Sequence, residues 1–460
     1  MSRLDQLRAT LQALDLAAIP CDYCDVRLEN VRKTEMVYRN GELLSCDLKP
    51  SLGAFLRVYA RGKWFYASIT ELDGIQARLQ ALAEEAPLFS PHGTAKDLFS
   101  RIQPYQNELI RYAGRQVADV STQAKRQLCE AYLPVLKAEP LAIETRLRYA
   151  DVSKLKAFRS SKGVFYAFDY EQAGLSFHYT LKEGEALFED MHRHSSDSLI
   201  GLDALGSGLL AAMNESKRFL KALPIVAGDY RVVLDSAVVG VFAHESFGHN
   251  SEADAHLGDD SAGEKWALGS HVGSEAISIY DDGTRAGSSG YCPFDDEGTP
   301  AQRTSLIDKG ILTGRLHSLT TAQHFGEAPT GNARAIDFEF EPIVRMTSTY
   351  VEPGTLSLDE LLKRAGEGIF IKDWKHGSGL STFTIAPRKC YRIRAGKLAE
   401  PLRASVITGT VFETLARIEA CSKNFDLHSS VFGGCGKNDQ MPLPVADGGP
   451  AMLVSAMRVS

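Results

Sequence analysis

The sequence predicts an α+β fold in two main domains with mostly antiparallel sheets. Three observations carry this reading. Alternating apolar–polar stretches outnumber helical ones, glycine-containing turns join them where long crossovers would be needed for parallel pairing, and "PIVAGDY" (224–230) reads as a linker between two halves. The expected domains are 1–222 and 225–460.

The elements follow in order. Leu4, Leu7, Leu11 and Leu14 are spaced for one face of a first helix. The β-rich text from Tyr23 to Ser68 is punctuated by Asn40-Gly41 and Arg61-Gly62, where hairpin turns belong. Leu72, Ile75, Leu79 and Leu82 then share a helix face, with Pro87 as the stop. Ser121 caps the next helix, and residues 141–190 read as four strands joined by glycine-containing turns. This helix-then-meander order resembles that of the first 68 residues and reads as an internal repeat, 1–110 and 115–222. A helix through "SSDSLIGLDALGSGLLAAMNESKRFLKAL" closes the first half. The second half opens on the strand "YRVVLDS", mixes short strands with a Gly- and Asp-rich loop, and carries one late helix around "TVFETLARIEACSKN".

Composition narrows the function classes. Hydrophobic residues at 44% and charged residues at 24% fit a soluble globular chain. A net charge of -7 without a basic run argues against a nucleic-acid partner. The acids in the first helix do not suit a secretory signal, and no apolar run approaches the roughly 18 residues of a membrane span. Eight scattered cysteines do not form a disulfide framework, so the cytoplasm is the expected compartment. A special cysteine there is a ligand or a nucleophile. Cys21 and Cys24 have redox-motif spacing, but at a strand start rather than a helix start.

The chemistry concentrates in "VFAHESFGHNSEAD", where His244, Glu245 and His249 stand in the order H-E-x-x-x-H. Composition alone gives roughly 0.02 chance matches to that pattern, which favours a metal site over two ordinary histidines. The zinc-hydrolase helix motif is one residue shorter. On a regular helix, residues five apart diverge by about 140°, so both imidazoles cannot face one ion. Either a π-bulge absorbs the extra residue, or the helix ends at Gly248 and His249 swings back. Catalytic zinc usually takes three protein ligands. Glu252, Asp254 and His256 are local candidates for the third, and Cys435 in "VFGGCGKNDQMP" is a distant one.

Nearly the whole chain resembles the TldD/PmbA family, once labelled modulators of DNA gyrase, faintly in the first half around "YCDVRLEN" and "LGAFLRVY" and specifically in the second. "HESFGHNSEAD" is similar to its zinc motif, "DDEGTPAQRTSLIDKGILTGRLHS" to its D-D-E-G-T stretch, "TGNARAIDFEFEPIVRMTSTY" to its T-G-N-G-R and P-R-M-T-N-T blocks, and "CGKNDQ" to its C-G-K-x-G-Q end. Ala333, Val344 and Asp439 depart from those patterns. The retained metal motif resembles the zinc-bearing TldD-type subunit. The resemblance implies zinc held by His244 and His249 with Cys435 completing the set, and Glu245 acting in catalysis. It also implies a two-domain subunit that forms a homodimer, or a heterodimer with a TldE/PmbA-like subunit, around a cavity. The implied activity is hydrolysis of small or unfolded peptides.

In that reading zinc supplies a water nucleophile near neutral pH and Glu245 is the general base and acid. Arg334 and Arg345 are candidate clamps for a peptide carboxylate. The competing reading is a non-catalytic regulatory or assembly subunit.

Overall fold

The computed structural model describes residues 2–89, 98–258 and 266–460. Helix α1 (Arg3–Gln12) starts at Ser2, whose hydroxyl accepts from the Asp5 N–H, and it buries Leu7 and Leu11. Strands β1 (Tyr23–Arg39) and β2 (Glu42–Ala60) meet at Asn40-Gly41, and β2 meets β3 (Lys63–Ile69) at Arg61-Gly62. All four turn residues have positive φ, the backbone a tight hairpin demands. Helix α2 (Ile75–Phe89) buries Ile75, Leu79 and Leu82 against this sheet. Pro87, expected to stop the helix, lies two residues before its end: it has no N–H to give the Ala83 carbonyl, and the helix closes at Phe89.

After β4 (Gln106–Leu109) and α3 (Thr122–Glu130), capped by Ser121, the chain forms β5 (Ala142–Ser160), β6 (Phe165–Glu183) and β7 (Ala186–Ser196). These are three strands where four were expected. Gly174 reads as a turn in the sequence but lies inside β6. A Cβ there would stand 2.6 Å from the His194 carbonyl oxygen and 3.0 Å from Val431. Glycine marks close approach at this position, not a reversal.

The strands form one seven-stranded sheet in the order β3–β2–β1–β5–β6. The outer edge of β6 takes β4 at its start and β7 at its end. The two meanders therefore join through β1 and β5, antiparallel from Asp25↔Ser160 to Arg39↔Arg146. A core with α1 and α2 covers one region of the sheet, and a second core with α3 and the helix Gly206–Phe219 covers another.

In the second half, strands Gly368–Gly379, Gly228–Leu234, Met452–Val459, Ile407–Thr410 and Thr382–Arg394 pair in sequence. Pairing of the last with the first closes them into a ring. A six-stranded sheet lies beside it, including Ser348–Val351, Ala446–Gly449 and the edge strand Asp426–Ser429. The expected late helix is only Val411–Ala416, because Ile418–Cys421 is drawn into pairing with Met452–Val454. Most pairings are antiparallel. The exceptions include Gly368–Gly379 on Gly228–Leu234 and Ser348–Val351 on Ala446–Gly449. No helix among the described residues is long and apolar enough to cross a membrane; that leaves strand-built spans unaddressed.

A buried ionic latch joins the halves. On the sheet, Arg27 lies 2.9 Å and Lys156 2.5 Å from Asp296, while Glu29 draws Arg27, Lys154 and Lys156 to 3.2–3.4 Å. Beside them Arg57 bridges Asp25 at 2.6 Å and Glu297 at 2.8 Å. Burial alone would raise the Asp296 carboxyl, but Arg27 and Lys156 outweigh it and hold it below the usual carboxylate range. A carboxyl so depressed stabilises the fold fully above the unfolded value near 4, and that contribution is lost as pH falls. Asp296→Asn leaves two buried cations undercompensated. Calorimetry and urea titration should show a loss of about 3–5 kcal/mol at neutral pH that shrinks towards pH 3.

Candidate metal centre

The helix Ser236–Phe242 begins immediately after the strand Gly228–Leu234, with the Asp235 carboxylate accepting from the Val238 N–H. It is apolar nearly all round, burying Val238, Val239, Val241 and Phe242 between the ring and the six-stranded sheet. Over Ala243–Gly248 it widens to a π-helix, and the His249 N–H donates to the His244 carbonyl five residues back. The chain then continues helically to Ser251. Of the two expected remedies for the inserted residue, the π-turn is the one present. Gly248 has φ -57°, so no left-handed cap forms there. The polar groups near this helix end are met by side chains. Asn250 Nδ2 donates to the Ser246 carbonyl at 2.9 Å, and Ser251 Oγ donates to the Phe247 carbonyl at 2.9 Å.

The π-turn returns His249 to the side of His244, their ring centroids 5.0 Å apart. Cys435 arrives from a hairpin of Cys435–Lys437 and Gln440–Leu443, with Sγ 3.4 Å from His249 Nε2. One donor atom from each of His244, His249 and Cys435 lies within 4.8 Å of the others. Two imidazole nitrogens and a thiol are the donor types zinc takes, and this spacing suits bonds of about 2.0–2.3 Å to one shared ion. His244 is buried, and its Nδ1 has no hydrogen-bond partner among the described residues. The three side chains therefore fit a metal.

Without an ion the set favours a thiolate flanked by imidazolium rings, so the cysteine stands in its ligating form and the histidines would give up protons as a metal binds. Burial would raise the Cys435 thiol, yet the two histidines bring it down to about 5. Burial would lower His249, but Cys435 and Glu252 push it up to about 10. His244 is raised by Cys435 against its own desolvation. Glu245 is half-buried in the same cleft, and its carboxyl is raised by burial, with the histidines opposing.

The other candidate ligands have different partners. Glu252 Oε2 lies 3.2 Å from His249 Nδ1, the nitrogen facing away from Cys435. It orients the imidazole and takes no place among the donors. Lys437 Nζ bridges Glu252 at 3.0 Å and Asp254 at 2.6 Å, tying the cysteine hairpin to the helix end. His256 Nε2 lies 2.7 Å from the Asn250 carbonyl oxygen. Arg334 and Arg345 are not substrate clamps: both are buried and spent on main-chain carbonyls. Arg345 donates to Cys435 O at 2.7 Å and to Gln440 O at 3.2 Å, and Arg334 donates to Met346 O and Pro444 O. Asp439, where the resembling family has glycine, has φ 63° beside Asn438 at 48°. The hairpin turn keeps its left-handed backbone with residues that tolerate it less well.

The cleft measures about 400 Å³. Besides the cluster, it is lined by Arg193 from β7, Trp374, Lys375 and His376 from the ring, and His428 and Asp447 from the six-stranded sheet. None of these six carries a sequence signal, because none falls in a motif, the consecutive Trp374, Lys375 and His376 included. Their place in the site comes from cross-strand register alone, as with His428 opposite Asp447.

Comparison with known proteins shows a metallopeptidase family. Residues 227–460 match the model of the PmbA/TldA metallopeptidase C-terminal domain, and residues 24–87 match that of PmbA/TldA metallopeptidase domain 1. A metalloprotease of Synechocystis sp. is 34% identical over 439 residues, 94% of this chain and 93% of that one. A zinc metalloprotease TldD homolog of Saccharolobus solfataricus is 32% identical over 320 residues, 68% and 70% of the two chains. Among solved structures, a putative modulator of DNA gyrase from Thermotoga maritima superposes with a TM-score of 0.75 at 19% identity, covering 95% of this chain and 96% of that one. TldE from Thermococcus kodakarensis gives 0.74 at 15% identity, with both chains fully covered. These last two likenesses establish the fold.

The packing behind the π-turn is testable. A Cβ on Gly240, one turn before His244, would stand 2.4 Å from an Asp447 carboxylate oxygen and 2.7 Å from the Gly448 nitrogen. Gly240→Ala should therefore cost about 1–3 kcal/mol despite the better helix former, because backbone must move. Metal titration and thermal unfolding should both register the displaced helix.

Proposed function

This chain belongs to the TldD/PmbA family of metallopeptidases, and on that footing we propose that it is a zinc-dependent peptidase for small or unfolded peptides. The observation that carries the reading is the meeting of His244, His249 and Cys435 within 4.8 Å, with Glu245 in the same cleft. Those three residues would hold the zinc. When bound, the ion supplies Lewis acidity and a water activated near neutral pH.

The rest of the chemistry belongs to the chain. Glu245 takes the proton of the attacking water and returns it to the leaving amine, and burial moves its carboxyl towards the range where one group can do both. Glu252 fixes the His249 ring, and Arg345 fixes the Cys435 main chain. Backbone edges flank the cleft. Asp426–Ser429 ends the six-stranded sheet, and Trp374–Gly377 pairs with a neighbour on one side only among the described residues. An extended peptide can add there as a strand, a mode that draws affinity from main-chain bonds and accepts varied sequences. The subunit acts as a dimer with a second copy or with a TldE/PmbA-like chain. The superposition over the full length of a TldE supports that pairing.

Glu245→Gln should keep its zinc in elemental analysis while losing about 10²–10⁴-fold in peptide hydrolysis. Cys435→Ser should instead lower metal content, and a chelator should silence the native protein until zinc is restored. Full hydrolysis by Glu245→Gln would overturn its role.

A further inference from the structure

The acidic residues of the cleft, Glu245 and Asp447, lie on its floor beside the histidines, whereas its rim is cationic. One of the rim cations, Arg193, comes from the sheet of the first half, and Arg148 stands behind it on the same sheet. Arg148 on β5 and Arg193 on β7 flank Ser176 of β6 in one cross-strand row, so both side chains leave the same face about 10 Å apart. That face abuts the cysteine loop. Val431 N donates to Ser195 Oγ at 3.3 Å, and the Arg148 guanidinium lies 5.4 Å from the ring of Phe432. The Arg193 guanidinium lies 5.9 Å from the ring of Trp374, across the cleft mouth.

Neither arginine forms an ion pair among the described residues. Neighbouring arginines are used differently: Arg39 pairs with Glu144 at 2.9 Å, and Arg388 with Asp373 at 3.0 Å. Asp447 feels the charge of Arg193 without pairing with it. On the opposite wall Lys375 is also exposed and unpaired among the described residues. The field on this face is positive. His178, two residues along β6 from Ser176, is held down to about 4 by burial and then by Arg148, Arg388, Arg146 and Arg193. An arginine resting on an aromatic face keeps its N–H fork free, and that fork matches a carboxylate.

We propose that Arg193, backed by Arg148, forms a carboxylate-binding subsite through which the cleft selects peptides carrying negative charge near the bond to be cut. The proposal rests on the peptidase reading for the nature of the ligand, but its test does not need catalysis. The carboxylate can be a peptide C-terminus or an Asp or Glu side chain, and the experiment separates the two.

Zinc-bearing Glu245→Gln protein, which should not cut, is titrated with three short N-acetylated alanine peptides, with titration calorimetry as the readout. One peptide has a free C-terminus, one is the amide, and one is the amide with a single Glu. At least one carboxylate peptide should bind about tenfold more tightly than the neutral amide, with the difference shrinking as salt rises. Whichever gains names the source. Arg193→Gln, at an exposed position, should abolish the preference while leaving amide binding unchanged. Equal binding of all three peptides, failure of all three to bind, or a preference that survives Arg193→Gln overturns the subsite. If the preference holds but the zinc-loaded native protein cuts none of the peptides, the subsite stands and the peptidase reading falls.

Discussion

The centre depends on one backbone hydrogen bond of unusual span, from the His249 N–H to the His244 carbonyl. Five residues separate the histidines, and on a regular helix that spacing sends them to different sides. The π-turn restores a common side, and its neighbours make it tenable. Gly248 admits the Met346 side chain where a Cβ would stand 2.0 Å from sulfur, and Gly240 admits Asp447 and Gly448. Asn250 is shared between the Ser246 carbonyl and the Leu380 carbonyl, so the strand hairpin over the cleft also steadies the helix end. Sparse packing at any of these points would let the helix return to the commoner α geometry.

The remote thiol is a separate problem with a separate solution. Cys435 reaches the histidines because its hairpin is held at several points. Arg345 grips its carbonyl, Lys437 on the same strand joins Glu252 and Asp254 past the helix end, and Gln440 Nε2 on the far strand donates to the Glu341 carbonyl at 2.9 Å. Glu252 belongs to both arrangements, since it accepts a hydrogen bond from Lys437 Nζ and sets the His249 ring. A buried carboxylate shared this way is costly alone and stabilised only while both partners stay in place.

Much of this was legible in the chain. Hairpin turns at Asn40-Gly41 and Arg61-Gly62, the cap at Ser121, and leucine spacing in α1 are local signals with local causes, and they sit where expected. The antiparallel α+β class followed from them. The motif around His244 was legible because chance rarely writes it, and its spacing alone demanded a break in regular helix. Non-local facts were not legible. Gly174 reads like a turn until β7 and Val431 are seen pressing on it. Arg334 and Arg345 read like ligand clamps because sequence reports a charge and not its burial. Arg193 and Asp447 gave no signal, since strand register decides what they face. The short helix at Val411 shows tertiary context overriding local preference.

The first half of the chain also takes part in the chemistry. Its sheet contributes no metal donor, yet it touches the loop that carries one: Ser195 accepts from Val431 N–H, Arg148 lies over Phe432, and Gly174 leaves room for Val431. The latch of Arg27, Lys156 and Asp296 fixes the sheet against the second half with charges buried too deeply to rearrange cheaply. Cys435 is therefore positioned from both sides, by Arg345 within its own half and by the sheet through residues 431–432. A sheet displaced on its latch would disturb the cysteine loop and the cleft rim together. Metal retention and charge selection then become two readouts of one docking, and neither half assembles the complete cleft alone.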